Sequence, residues 1–167
     1  VMFGDGFDVV INKDNPRYGW AMSQGGNIAY FDKETGKNRF VKPFHPEGKK
    51  LRYNWNAALA QNPFNNAGIY FGSQYVHKSN DLGQSWEIIS PDLTTNDTSK
   101  QKQAISGGLT IDATNAENFT TILVIAPSIH DKNVVWVGTD DGNLQLTKDG
   151  GKTWTNLSDR LPGFKKG

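Results

Sequence analysis

The phrase GTDDGN carries two adjacent carboxylates, Asp140 and Asp141, the first groups in this 167-residue chain equipped for acid–base chemistry. Hydrolysis of a glycosidic bond takes two carboxyl groups facing each other across a cleft. One protonates the leaving oxygen, and the other attacks or activates water. Further carboxylates are Asp5 and Asp8 in GDGFD, and Asp92 and Asp97 in a polar stretch near the middle. A second constellation is LRYNWN, where Arg52, Tyr53, Asn54, Trp55 and Asn56 set a guanidinium, a phenol, amides and an indole side by side. Aromatic faces beside amides suit a sugar or a peptide. The alternative reading packs Tyr53 and Trp55 between layers and leaves the asparagines to cap turns. His45, His77 and His130 are scattered without metal-ligand spacing, and DDGN lacks the spacing of a calcium loop, so neither metal nor cofactor is expected. With no cysteine, thiol nucleophiles, disulfides and thiolate metal sites are excluded. The pairs Gly25-Gly26 and Gly107-Gly108 match no phosphate-binding fingerprint.

One phrase occurs twice. SNDLGQSW runs from Ser79 to Trp86 and TKDGGKTW from Thr147 to Trp154, with the two tryptophans 68 positions apart. Asp81 and Asp149 can accept hydrogen bonds from backbone N–H groups further along a tight hairpin. Gly83 and Gly151 supply a positive φ without steric cost. The hydroxyls of Ser79, Ser85, Thr147 and Thr153 can tie the ends of the turn together. Trp86 and Trp154 then bury a ring whose N–H needs a partner. The phrase therefore reads as a structural clasp that repeats because its sheet repeats.

The surrounding text repeats as well. IYFGSQYVHK lies beside VWVGTDDGNLQLTK, and a weaker copy, YGWAMSQGGNIAYFDKETGKNRF, has Trp20 where the others have Tyr70 and Trp136. In that copy an ordinary Asp/Gly hairpin replaces the clasp. Apolar strands precede the units: GFDVVIN, NWNAALAQ and FTTILVIA. Four short strands per unit, separated by turn residues, is the pattern of a propeller blade. The expected fold is all-β: a partial β-propeller of about three four-stranded blades with one long loop insertion. The blades span about 1–43, 50–90 and 118–162, and the insertion about 91–117. A net charge of +1 gives no footprint for nucleic acid, and no segment reads as a membrane span, so neither partner is expected. The chain opens on VMFGDG and is read as a piece cut from a larger propeller protein. The remaining blades, or a second copy, would cover the two end faces of such an arc.

The two clasps resemble the Asp-boxes, or BNR repeats, of sialidases, sortilin-type propellers and several propeller glycoside hydrolases. The wider text resembles bacterial BNR-repeat, sortilin-like proteins often labelled glycosyl hydrolases. It is carried by FGDGFDVVINKDNP, LRYNWNAAL, IYFGSQYVHKSNDLGQSWEIISPDLTTND, ISGGLT, ENFTTILVIA and VWVGTDDGNLQLTKDGGKTWTNL, which is most of the chain. That resemblance implies an exported protein, periplasmic or extracellular. A sialidase is not implied, because Arg17, Arg39, Arg52 and Arg160 stand in no matching context. The run Thr139-Asp140-Asp141-Gly142 is similar to the Thr-Asp-x-Gly motif that carries a catalytic aspartate in propeller enzymes cutting xyloglucan. It implies Asp140 as acid or base; the match assigns no counterpart, and Asp5, which begins a blade and could point to the centre of the wheel, is the best candidate. The same tetrapeptide also serves as a plain strand-connecting turn in non-catalytic blades. The expectation is a non-catalytic scaffold presenting loops to a peptide or a glycan, with a propeller glycoside hydrolase as the alternative. Asp140 in an open cleft opposite a second carboxylate would favour the enzyme; Asp140 capped by backbone N–H groups would favour the scaffold.

Overall fold

Short runs of β-branched and aromatic residues, bounded by Gly, Asn and Asp, dictate short strands with tight turns. The computed structural model describes residues 3–105 and 116–163, and within them twelve strands form three antiparallel four-stranded sheets. The first sheet holds β1 (Gly6–Ile11), β2 (Tyr18–Ser23), β3 (Asn27–Asp32) and β4 (Asn38–Phe40). The second holds β5 (Leu59–Gln61), β6 (Ile69–Gly72), β7 (Val76–Ser79) and β8 (Glu87–Ile88). The third holds β9 (Ile122–Pro127), β10 (Val135–Thr139), β11 (Leu144–Thr147) and β12 (Thr155–Asn156). Each sheet is a meander in chain order, and the three together form a partial β-propeller. Most of ISGGLT, the pair Gly107-Gly108 and the basic tail after Gly163 lie outside the described residues.

Strand register gives every sheet two distinct faces, because side chains alternate along a strand. On one face, here called forward, lie the rows Val10-Trp20-Tyr30-Arg39, Ala60-Tyr70-Lys78-Glu87 and Ala126-Trp136-Leu146-Thr155. On the back face lie Val9-Ala21-Ala29-Phe40, Leu59-Phe71-His77-Ile88 and Ile125-Val137-Gln145-Asn156. The forward face of the first sheet packs Trp20, Met22 and Ile28 against Ala57, Ile69 and Phe71 from the back of the second. The forward face of the second packs Ala58, Tyr70 and Val76 against Ile122, Ile125, Val135 and Val137 from the third. The core is therefore two inter-blade layers, which is why β6 is buried on both faces.

His77 sits inside the first of these layers. It is fully buried, with Ser73 Oγ 2.8 Å from Nε2 and the Trp86 ring edge-on at 6.4 Å. Burial, with a smaller push from His45, takes its imidazole down to about 4. The ring is held neutral as part of the packing between the blades.

The two repeated phrases do more than close hairpins. Ser79 Oγ donates to Asp81 Oδ1 at 2.8 Å and accepts from the Gly83 N–H at 2.9 Å, while Asp81 accepts from the N–H and hydroxyl of Ser85 at 2.9 and 2.6 Å. Thr147, Asp149, Gly151 and Thr153 reproduce the same four bonds at 2.8, 3.0, 2.9 and 2.5 Å. The hydroxyls of Ser85 and Thr153, more than any other group, hold the two carboxyls down at about 2. Beyond the turn, Trp86 Nε1 donates to the Val41 carbonyl at 2.8 Å and Trp154 Nε1 to the Ile89 carbonyl at 2.9 Å, each in the preceding blade or directly after it. Gly83 and Gly151 lie flush against the same residues: an added Cβ would fall 2.8 Å from Val41 Cβ and 2.5 Å from the Ile89 oxygen. Each clasp rivets its own blade to the one before.

Two outcomes follow. Gly151→Ala meets both a φ of +101° and that backbone collision; it should cost roughly 3 kcal/mol in urea unfolding. Gly36→Ala, at φ +69° in open space, should cost only about 1–2 kcal/mol. Equal losses would mean that the close approach is not tight. Separately, the folded state refuses a proton that the unfolded chain accepts at His77. Its contribution is intact above about 6.5 and drains away as pH falls toward about 4. His77→Gln should flatten the thermal-melt profile across that window.

Candidate functional site

Successive turns of an antiparallel meander fall at opposite ends of the sheet. The clasps and the turns at 12–17, 62–68 and 128–134 share one end of the arc. The turns at 24–26, 73–75 and 140–143 share the other, together with the inter-blade connector 41–58 and the described parts of the second connector, 89–105 and 116–121. LRYNWN, Asp92, Asp97, Asp140 and Asp141 all lie on this connector face. The first strands of the sheets, β1, β5 and β9, lie against one another along the inner side of the arc.

Polar side chains sew the connectors to the turns. Arg52 Nε donates to the Thr120 carbonyl at 3.1 Å, and its terminal nitrogen reaches Asp92 at 2.8 Å and Thr94 Oγ1 at 3.2 Å. The Arg52 backbone N–H donates to Gln74 in the neighbouring turn at 2.8 Å. Asp141, with no exposed surface, accepts from the N–H and hydroxyl of Thr95 at 2.7 and 2.8 Å and from Thr139 Oγ1 at 2.5 Å. Leu93 is buried in the second core layer, and its carbonyl accepts from Asn143 and Gln145, both at 3.0 Å. The start of the insertion is thus part of the scaffold. Asp97 caps a short 3-10 turn, Thr98–Lys100, by accepting from Ser99 N.

Asp140 is half-buried at the junction of three segments. Oδ1 accepts from the Thr121 N–H at 2.8 Å, and Oδ2 accepts from Thr121 Oγ1 at 2.8 Å and Asn54 Nδ2 at 3.1 Å. Its own N–H donates to the Thr121 carbonyl at 3.0 Å. Burial raises this carboxyl above the ordinary range; the Thr121 and Asn54 bonds pull it back, and the neighbouring Asp141 adds to the rise. Asp5 is exposed just before β1, where its N–H donates to Gln24 Oε1 at 2.8 Å. Among the described residues no hydrogen bond joins Asp5 to Asp140.

Five of the six residues of LRYNWN, Arg52 to Asn56, divide into three groups. Arg52 and Asn54 hold the connectors together, and Asn54 Oδ1 also accepts from the Trp55 N–H at 2.7 Å. Tyr53 is buried, stacks on Phe71 at 5.5 Å, and lies against Gly26 so closely that a Cβ there would fall 2.3 Å from its ring. Burial pushes its phenol far above the ordinary tyrosine range. Trp55 and Asn56 remain part-exposed beside Phe7, whose ring lies 6.4 Å from that of Trp55. Phe7 and Thr121 escape sequence reading, because their partners lie 48 and 19 positions away, with no local pattern to mark them. No group of three His, Asp or Glu among the described residues could hold a metal ion, and no helix there is long and apolar enough to cross a membrane.

No family model and no curated protein matches this chain. Solved structures do. A GH74 enzyme described as ancestral superposes with a TM-score of 0.56 at 17% identity, over 92% of this chain and 18% of its own. The GH74 xyloglucanase from Xanthomonas campestris gives 0.55 at 19% identity, over 95% and 24%. YCF48 bound to D1 peptide gives 0.53 at 16% identity, over 92% and 40%. All are β-propeller proteins, and at these identities the likeness is one of fold. The chain spans less than half the length of each.

Removing the buried acceptor tests the sewing directly. Asp141→Ala strips the Thr95 N–H and hydroxyl of their acceptor and leaves Thr139 only its longer bond to the Asn143 carbonyl; it should lower stability by roughly 3 kcal/mol in guanidinium unfolding. Asp97→Ala, on an exposed turn, should change it little.

Proposed function

We propose that this chain is part of a non-catalytic β-propeller scaffold whose connector face binds an extended peptide or a glycan. The observation that supports the reading is the wiring of Asp140. Both oxygens are engaged by Thr121 and Asn54, so the carboxylate serves to join the second and third blades. Beside that joint, Trp55 and Phe7 offer an aromatic pair to a ligand entering between β1 and β5. A peptide is found on one structural neighbour, YCF48 bound to D1 peptide. In this reading the clasps are Asp-boxes of BNR type, the parent is a sortilin-like exported protein, and further blades are its structural partners.

A second reading, a propeller glycoside hydrolase with Asp140 as acid or base and Asp5 as its counterpart, draws on two observations. They are the fold shared with GH74 enzymes and the burial that raises the Asp140 carboxyl, as a general acid requires.

Titration of the full chain with xyloglucan oligosaccharides and with extended peptides, followed by tryptophan fluorescence, separates the two. The scaffold reading expects saturable binding of one class, weakened roughly tenfold by Trp55→Ala, with no reducing ends released. Release of reducing ends that Asp140→Asn abolishes would replace it with the hydrolase.

A further inference from the structure

Both clasps reach into a socket built by the blade before them. In the first blade the socket is Val41, whose N–H donates to Ile28 and whose carbonyl takes the Trp86 indole. In the second it is Ile89, bonded in the same way to Val76 and to Trp154. The third blade carries the same element: the Leu157 N–H donates to the Leu144 carbonyl at 2.7 Å. Its carbonyl accepts from Arg160 N at 2.9 Å and keeps a second lone pair. Around it, Trp136, Leu146, Thr155, Leu157 and Arg160 line a groove of about 580 Å³. A second, almost wholly apolar opening lies beside it between Val124, Ala126 and Leu144.

The inner forward row of this sheet, Ala126-Trp136-Leu146, is apolar, as Val10-Trp20-Tyr30 and Ala60-Tyr70 are in the sheets before it, yet its tryptophan is open. Trp136 is 39% exposed, whereas its equivalents Trp20 and Tyr70, each covered by the next blade, are 0% and 2% exposed. The question is what covers it. A second copy of this chain would present the back of its first sheet, where Val9 and Phe40 are 57% and 67% exposed. That sheet lacks the rivet. Tyr30 to Arg39 and Lys78 to Glu87 are register-equivalent hairpins of equal length, which places Asn38 where Trp86 stands and Thr35 where Gly83 stands. Asn38 supplies no indole, and a side chain at the Gly83 position meets the neighbouring blade.

We propose that the forward face of the third sheet is the docking site for a further blade of the clasp type, and not for a second copy of this chain. The partner is a four-stranded sheet whose last hairpin reads Gly-x-Ser/Thr-Trp. Its indole donates to the Leu157 carbonyl, its glycine lies against Leu157, and its apolar back row covers Trp136 and Val124. This continues an interface that the chain already forms twice. It rests on the part of the scaffold reading that names further blades as partners, and not on the ligand.

The test joins the full chain, through a flexible linker, to an added copy of its own residues 118–162. In a second version the tryptophan of the added copy equivalent to Trp154 is replaced by asparagine, as at position 38. Hydrogen exchange over residues 135–157 should slow about tenfold with the clasp copy and stay unchanged with the asparagine copy. The unextended chain should sediment as a monomer with this segment open. Three results would overturn the proposal: no protection from the clasp copy, equal protection from the asparagine copy, or a dimer of the unextended chain that shields residues 135–157. None of these measurements reads ligand binding on the connector face, so their failure leaves the peptide or glycan reading standing.

Discussion

The arc depends on one repeated bond, an indole N–H of one blade donated to a backbone carbonyl of the blade before. An indole sealed between two sheets without an acceptor would cost about 1–3 kcal/mol, so the bond fixes how closely two blades approach and at what height. Everything else in the clasp serves that placement. The serine and threonine hydroxyls and the Asp81 and Asp149 carboxylates hold the hairpin so that the ring leaves it in the right direction. The glycines remove atoms that would collide with the blade before. A carboxylate whose oxygens are consumed in this way, and whose acidity is raised by it, is a structural anion.

The opposite end of the arc follows the same economy with different residues. Asp140 and Asp141 are neighbours in the chain, yet one joins the second blade's connector to the third blade and the other anchors the insertion through Thr95. Arg52 and Asp92 add a part-buried ion pair across the same seam. With these groups committed to holding the connectors, the Trp55 and Phe7 rings stay part-exposed near β1 and β5.

The blade pattern was legible because turn residues punctuate every strand and the two clasps keep a fixed phrase. The all-β class and the stacked four-stranded sheets could be read that way. Packing between blades could not. Trp136 sits in the same text as Tyr70 but is open, since exposure depends on a neighbouring sheet that no local pattern describes. Leu93 is a single apolar residue in a polar run, with no periodicity to announce that it enters the core. At the site, the sequence left Asp140 between a catalytic group and a turn. Its partners Asn54 and Thr121, 86 and 19 positions away, come together only through the stacking of blades. The same holds for LRYNWN, where a six-letter phrase conceals that Tyr53 points into the core while Trp55 stays near the surface.

The rivets all point one way. Each of the first two blades is locked by a tryptophan that comes 45 or 65 residues later in the chain. As the polypeptide emerges from a ribosome, a finished sheet is therefore provisional until its successor arrives to pin it. Each of these two locks can close only once the following sheet exists, so the order that the bonds permit is vectorial, from the beginning of the arc toward its end.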